Sequence, residues 1–371
     1  MKNLDRCFVG TRKGLFVLER RAGRLVVKRT EFLGAQVSMV LYDPRQNTLL
    51  VAIKHGHFGA KLHRSTDQGA TFEEIAAPVF PPKPEGVSDI DPIRKTERKW
   101  SVEQIWSLEV GGNAGELWLG TLPGGLFRST DFGASWQLNR PLWDHPARSK
   151  WFGGGYDSPG IHSILVNPHN AADVYIGVSC GGLWRTLDGG ETWQLATAGM
   201  VAEYMPPNLQ TQGETQDPHR VAMCKAHPNV MWCQHHSSAY RTDDGGANWK
   251  ELKALRPSRF GFAVAACPAD PNTAWFVPAI KDEVRLPVDG KVTVARTTNG
   301  GKSFDVFSKG LPQEHAYDLV YRHGLDADSE GGALLMGSTT GSLWESFDGG
   351  ESWNTVSNHL PPIYCVAWGY R

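Results

Sequence analysis

The 371-residue chain lacks any excess of charge: 38 Lys and Arg stand against 39 Asp and Glu, a formal net charge of −1. Such a balance leaves no electrostatic footprint for nucleic acid or for an anionic membrane surface. Long apolar runs are missing too. No stretch approaches the roughly 18 apolar residues that suggest a spanning helix, and the opening MKNLDRCFVG holds no apolar run long enough for a signal peptide. Cysteine is sparse. Cys7, Cys180, Cys224, Cys233, Cys267 and Cys365 are scattered with no CxxC spacing. In a chain of this size that favours reduced thiols and a cytoplasmic location over a disulfide framework.

Glycine and tryptophan, by contrast, are plentiful, at 41 and 14 residues, and an internal repeat accounts for both. The copies are STDQGATF from Ser65, STDFGASW from Ser129, TLDGGETW from Thr186, TDDGGANW from Thr242, TTNGGKSF from Thr297 and SFDGGESW from Ser346. Their third-position residues, Asp67, Asp131, Asp188, Asp244, Asn299 and Asp348, lie 64, 57, 56, 55 and 49 residues apart. The chemistry is that of a hairpin turn. Asp or Asn accepts hydrogen bonds from backbone N–H groups a few residues on, the glycine tolerates positive φ, and the aromatic residue starts the next strand.

Each copy sits in a larger unit, as in VYIGVSCGGLWRTLDGGETWQL from Val174: strand, short loop, strand, turn, strand. An apolar run upstream, such as HSILVNP, supplies one more strand. Four short strands in about 50 residues is the size of a propeller blade. CFVGTRKGLFVLE, from Cys7, matches the middle of a unit without its first strand, and IYCVAWG, from Ile363, matches a first strand alone. The reading is one all-β domain over 1–371, a seven-bladed β-propeller closed by the C-terminal strand. Blade 1 combines 7–33 with 363–369. Blades 2 to 7 fall at about 36–75, 102–138, 160–196, 219–252, 259–308 and 315–357. Closure removes exposed sheet edges.

The turns resemble the Asp-box, or BNR, repeat of the sialidase-like propeller superfamily, over nearly the whole chain. The resemblance implies a propeller with structural aspartates on the blade periphery, away from any active site. It does not imply one activity, because such propellers include sialidases, xyloglucan hydrolases, sorting-receptor domains and a photosystem assembly factor. Sialidases of this type carry an Arg-Ile-Pro motif before the first Asp-box and bind a carboxylate with three arginines. No such motif precedes Asp67; the nearest string, Arg285-Leu286-Pro287, lies in the sixth blade. Xyloglucan hydrolases of this type use two propellers, and this chain has one.

Function should sit on the face that does not repeat: the blade-to-blade connections and the loops between second and third strands. Three consecutive connections are long, at 76–101, 139–159 and 197–218, and are expected to form a lid. Of thirteen histidines, seven fall at the rim of this face: His55 and His57 in the second blade, His162, His219, the pair His235-His236, and His315. These are the candidate ligands of one divalent transition metal ion (Zn, Mn, Fe or Cu), which neutral imidazole suits and which would activate water or polarise a carbonyl. Catalytic candidates are His219, His235, Arg220, Arg259, Tyr317, Tyr364 and Glu103; in the metal-free alternative the two arginines form an anion clamp and a His–Tyr pair serves as base and acid. The expectation is a hydrolase or lyase, not a sialidase, acting on a polar small-molecule or sugar-like substrate. The alternative is a non-catalytic ligand-binding or assembly propeller.

Overall fold

The computed structural model describes residues 4–369, and every sheet in it has four antiparallel strands. There are seven sheets, each with its first strand innermost. The inner strands are Ile363–Gly369, Gln36–Asp43, Gln104–Val110, Ile161–Val166, Pro218–Met223, Gly261–Ala266 and Leu325–Ala327. Each touches the next around the ring, and Leu325–Ala327 touches Ile363–Gly369. The C-terminal strand Ile363–Gly369 pairs with Arg6–Thr11, with Cys7 opposite Trp368 and Val9 opposite Val366. The seven-bladed ring is thus closed by the chain's own two ends.

The repeated turns link third and fourth strands on the outer part of each blade. In the turn from Thr186, Asp188 accepts from the N–H groups of Glu191 and Thr192 at 3.0 and 2.9 Å and from the Thr192 hydroxyl at 2.6 Å. The buried Thr186 hydroxyl accepts from Gly190 N–H at 2.9 Å and donates to Asp188 at 2.7 Å. Gly190 needs its glycine: its φ is +100°, and a Cβ there would lie 2.6 Å from Asn139 Nδ2. In three of the turns the aromatic residue bonds to the blade before it. The indole N–H of Trp136 donates to Ala76 O, that of Trp193 to Asn139 Oδ1 and that of Trp249 to Ala196 O, at 2.8–2.9 Å.

Ahead of four of the turns stands an arginine that reaches the other way. Arg64 donates to Phe132 O, Arg185 to Gly245 O, Arg241 to Gly300 O and Arg296 to Gly349 O, each in the turn of the following blade. Between blades, the fully buried Trp118, Trp184, Trp232, Trp275, Trp344 and Trp368 fill the seams, each contributing a large apolar surface. Every turn is therefore bonded within its own blade and anchored to its neighbours.

Most inner strands start with a β-bulge. Register shifts leave Ser38, Trp106, His162, His219, Phe262 and Tyr364 as extra residues where blades 2, 3, 4, 5, 6 and 1 begin. A bulge re-aims a side chain that strict alternation would send elsewhere. Blade 7 starts differently. Its inner strand is only Leu325–Ala327, preceded by Tyr321, Arg322 and His323. No helix among the described residues is long and apolar enough to cross a membrane.

Candidate functional site

Five of the six bulge residues, Ser38, Trp106, His219, Phe262 and Tyr364, line a single cavity of about 910 Å³ at the mouth of the ring. Its remaining walls come from two kinds of segment: the approaches to the inner strands, with Gln36, Gln104, Asp217, Arg259, Tyr321 and Arg322, and the second-to-third-strand loops, with Ser179, Cys180, His236 and Lys281 among them. None of the six turn residues Asp67, Asp131, Asp188, Asp244, Asn299 and Asp348 lines it. Of the long connections, 139–159 contributes Phe152 and Tyr156, and 197–218 contributes Glu203, Tyr204 and Asp217. The connection 76–101 stands behind the first of these as a brace. Asp91 accepts from Gly153 N–H at 2.6 Å, and Asp89 binds Arg98 and Arg148 at 2.8 and 3.1 Å.

At one wall, Asp217, His219 and His236 bring one ligand atom each within 4.8 Å of one another. Asp217 Oδ2 lies 3.5 Å from His219 Nε2 and 3.4 Å from His236 Nδ1. Its other oxygen is fixed by the N–H of Cys180 at 3.1 Å. His219 Nδ1 lies 2.7 Å from the carbonyl of Gly261. A carbonyl only accepts, so Nδ1 carries the proton, and the neutral ring presents a lone pair at Nε2 to an anionic oxygen. At that distance a proton or a bound cation has to lie between the two atoms.

Burial pushes the His219 pKa down, and Asp217 only partly offsets it, so this ring is neutral near pH 7. Burial opposes ionisation of Asp217, but the two imidazoles outweigh it and hold the carboxyl well below its usual range. His236 goes the other way: burial acts to lower its pKa, and the contact with Asp217 raises it on balance.

The other sequence candidates are placed as follows. Arg259 lines the cavity but is paired with Glu251. Tyr364 lines it too, its ring stacked on Tyr321 at 6.2 Å. His235 does not. Adjacent side chains in an extended segment point oppositely, and both its ring nitrogens face backbone N–H groups, of Asp217 and Ser237, each at 3.1 Å. Burial pushes its pKa down to about 3. It buttresses the Asp217 backbone instead of facing the cavity. His162 is fully buried beneath the cavity against Trp106, with Nε2 unpartnered. Arg220, one residue past the bulge, points away from the cavity, where its charge meets Glu109 and Asp326. The pairing of Arg220 with Arg259 as a clamp is therefore corrected.

Glu103 is exposed and outside the cavity, and Gln104 takes the lining position. His55 and His57 are exposed on the turn around Gly56–Phe58, away from the lining. His315 and Tyr317 also lie outside it. The connection into blade 7 is longer than the repeat suggests, and Ala316 N–H is tied to Gly290 O, which leaves both side chains exposed. The seven histidines thus do not converge; two of them do.

Sequence reasoning missed Asp217 and Arg322. The first had a signal: in TQDPHR an aspartate stands two residues before His219, so the extended chain puts both on one side. Arg322 had none, because blade 7 breaks the alignment.

No protein-family model matches the chain. A probable oligoxyloglucan-reducing end-specific xyloglucanase of Neosartorya fischeri is 28% identical over 197 residues, 50% of this chain and 21% of that protein. The chain thus spans about a fifth of that curated relative's length. A GH74 xyloglucanase from Xanthomonas campestris superposes with a TM-score of 0.66 at 16% identity, over 95% of this chain and 53% of that one. YCF48, in a structure with bound D1 peptide, gives a TM-score of 0.52 at 16% identity, over 86% of this chain and 82% of that one. At such identities the structural likeness speaks for the propeller fold.

Proposed function

We propose that this propeller, of the Asp-box type within the sialidase-like superfamily, is a metal-dependent hydrolase or lyase acting on a sugar-like substrate in the cavity at the mouth of its ring. The observation that carries the reading is the tautomer of His219: proton on Nδ1 to Gly261 O, lone pair on Nε2 toward Asp217. Second-shell carbonyls orient metal-bound histidines in this way. Ligand atoms of a tetrahedral ion with bonds of about 2.1 Å stand roughly 3.4 Å apart, and the contacts to Asp217 Oδ2 are 3.4 and 3.5 Å. Two imidazoles and one carboxylate suit zinc, manganese or iron. Three protein ligands beside a cavity leave coordination positions for water and substrate.

Bound there, an ion would lower the pKa of a water or polarise a substrate oxygen. The chain's own residues orient the ligands through Gly261 and Cys180, and offer the stacked Tyr321 and Tyr364 as a surface for a sugar ring. The weak similarity to a xyloglucanase supports a saccharide substrate. The six cysteines, all unpaired, support a reducing, cytoplasmic setting. A metal-free reading is favoured by one observation, the raised pKa of His236, which would make it a general acid beside Asp217.

Elemental analysis of the purified protein separates the two. About one ion per chain is expected, lost in Asp217→Asn and His219→Ala together with turnover of saccharide substrates. Wild-type protein that turns over in chelator with no bound metal would leave the His236 acid in place of the ion. Absence of both metal and turnover would return the fold to its alternative, a non-catalytic binding or assembly propeller.

A further inference from the structure

The charges around the cavity are nearly all matched. Arg259 is paired with Glu251, Lys281 with Glu283 at 3.3 Å, and Arg285 with Asp282 at 2.5 Å. Asp217 is taken up by two imidazoles and the Cys180 N–H. Two lining charges are left among the described residues, the exposed carboxylate of Glu203 and the guanidinium of Arg322, and Arg322 is the one set deeper in the wall. It lines the cavity, its Nε is buried with no hydrogen-bond partner, and among the described residues it has no ion pair. Its Cζ lies 4.9 Å from the ring centre of Trp106 and 5.3 Å from that of Phe262, two bulge residues that hold the guanidinium in place. Burial lowers its pKa, with Asp217 the main charge opposing that shift. A half-buried cation without a counter-charge is only partly compensated by solvent, and a preset guanidinium fork matches a carboxylate bidentately.

We infer that Arg322 is the carboxylate-binding residue of the cavity and that the substrate is an acidic sugar, a uronic acid or a short oligomer of one. The inference rests on reading the cavity as a substrate site and names the substrate's class. One unmatched positive charge fits one carboxylate; a doubly charged phosphate would bring surplus negative charge toward Asp217. A carboxylate on Arg322 sets the sugar against the Tyr321–Tyr364 stack. The cavity, at the upper end of the usual small-molecule range of about 300–1,000 Å³, has room for more than one ring.

The test is calorimetric titration of the full chain with D-galacturonate, D-glucuronate and their disaccharides, beside the neutral D-galactose, D-glucose and their disaccharides. At least one acid should bind about tenfold or more tightly than its neutral counterpart, the margin of a charged hydrogen-bonded contact. Arg322→Met, which keeps an apolar stem between the rings, should abolish that margin and leave neutral-sugar affinity unchanged. Arg322→Lys, which keeps the charge without the fork, should retain part of it, and it serves as the test if the methionine variant fails to fold. No acid preference in the wild type, or a preference that survives these variants, overturns the inference. Repeating the titration on metal-stripped protein separates it from the metal reading. A margin that persists there, and still vanishes in Arg322→Met, supports the inference even if no metal is found. Loss of the margin with metal bound and Arg322 intact counts against it alone.

Discussion

His235 and His236 are neighbours in sequence with opposite fates. His236 faces the cavity and Asp217, while His235 is buried with both nitrogens against backbone N–H groups. His235 is therefore placed as a positioning residue of the proposed metal site, acting through the backbone of Asp217. Its replacement by alanine should weaken metal affinity by about 10–100-fold, the range for outer-shell partners. Arg220→Met, on the neighbouring strand Pro218–Met223 and outside the cavity lining, should leave that affinity unchanged. Competition with a chelator measures both. Equal affinities for wild type and His235→Ala would reduce His235 to a packing residue.

At the level of elements, the turns and the bulges divide the work. The turn from Thr186 is closed by a hydroxyl that is itself buried, so Thr186→Val strands the Gly190 N–H. The expected cost is about 1–3 kcal/mol, read from chemical denaturation, with sugar and metal affinity unaltered. Loss of ligand affinity at unchanged stability would contradict the separation of turns from cavity. The arginine before four of the turns is a second device: Arg241, for one, donates to Gly300 O at 2.9 Å and lies 4.9 Å from the Trp232 ring centre. It strengthens the joint between blades five and six.

For the whole ring, closure is the decisive event. Ile363, Val366 and Trp368 of the last strand are buried, and burial of such side chains contributes about 1.5–3 kcal/mol each. Their sum is comparable with a domain's whole stability of about 5–15 kcal/mol. Truncation before Ile363 should therefore leave no cooperative thermal transition; an unchanged melting temperature would disprove closure by this strand. The buried centre also sets an acid limit. His162 and His323 have pKa values held well below the ordinary 6.5, chiefly by burial. Both are neutral in the fold, and the unfolded chain takes up their protons first. Stability is then full above about pH 6.5 and falls as the pH drops below it. Urea midpoints at pH 7.5 and pH 5 check the sign; equal values would show that these rings do not contribute.

The turn sequence, repeated at near-regular spacing, determined the blade, the number of blades and the closing strand, because a hairpin turn is local chemistry that six copies reinforce. The functional face was legible in outline for the same reason: once the strands are aligned, the non-repeating loops stand out. Which side chains meet there was decided by tertiary structure. His219 faces the cavity and Arg220 does not because a bulge adds one residue where blade 5 begins, and a one-residue shift reverses every later side chain. His315 and Tyr317 lost their expected places to Arg322 because blade 7 begins about ten residues later than the repeat implies. Asp217 and His219, two residues apart, were within reach of a local pattern, but His236 joined them only when the second strand of the hairpin folded back on the first, with His235 opposite Pro218.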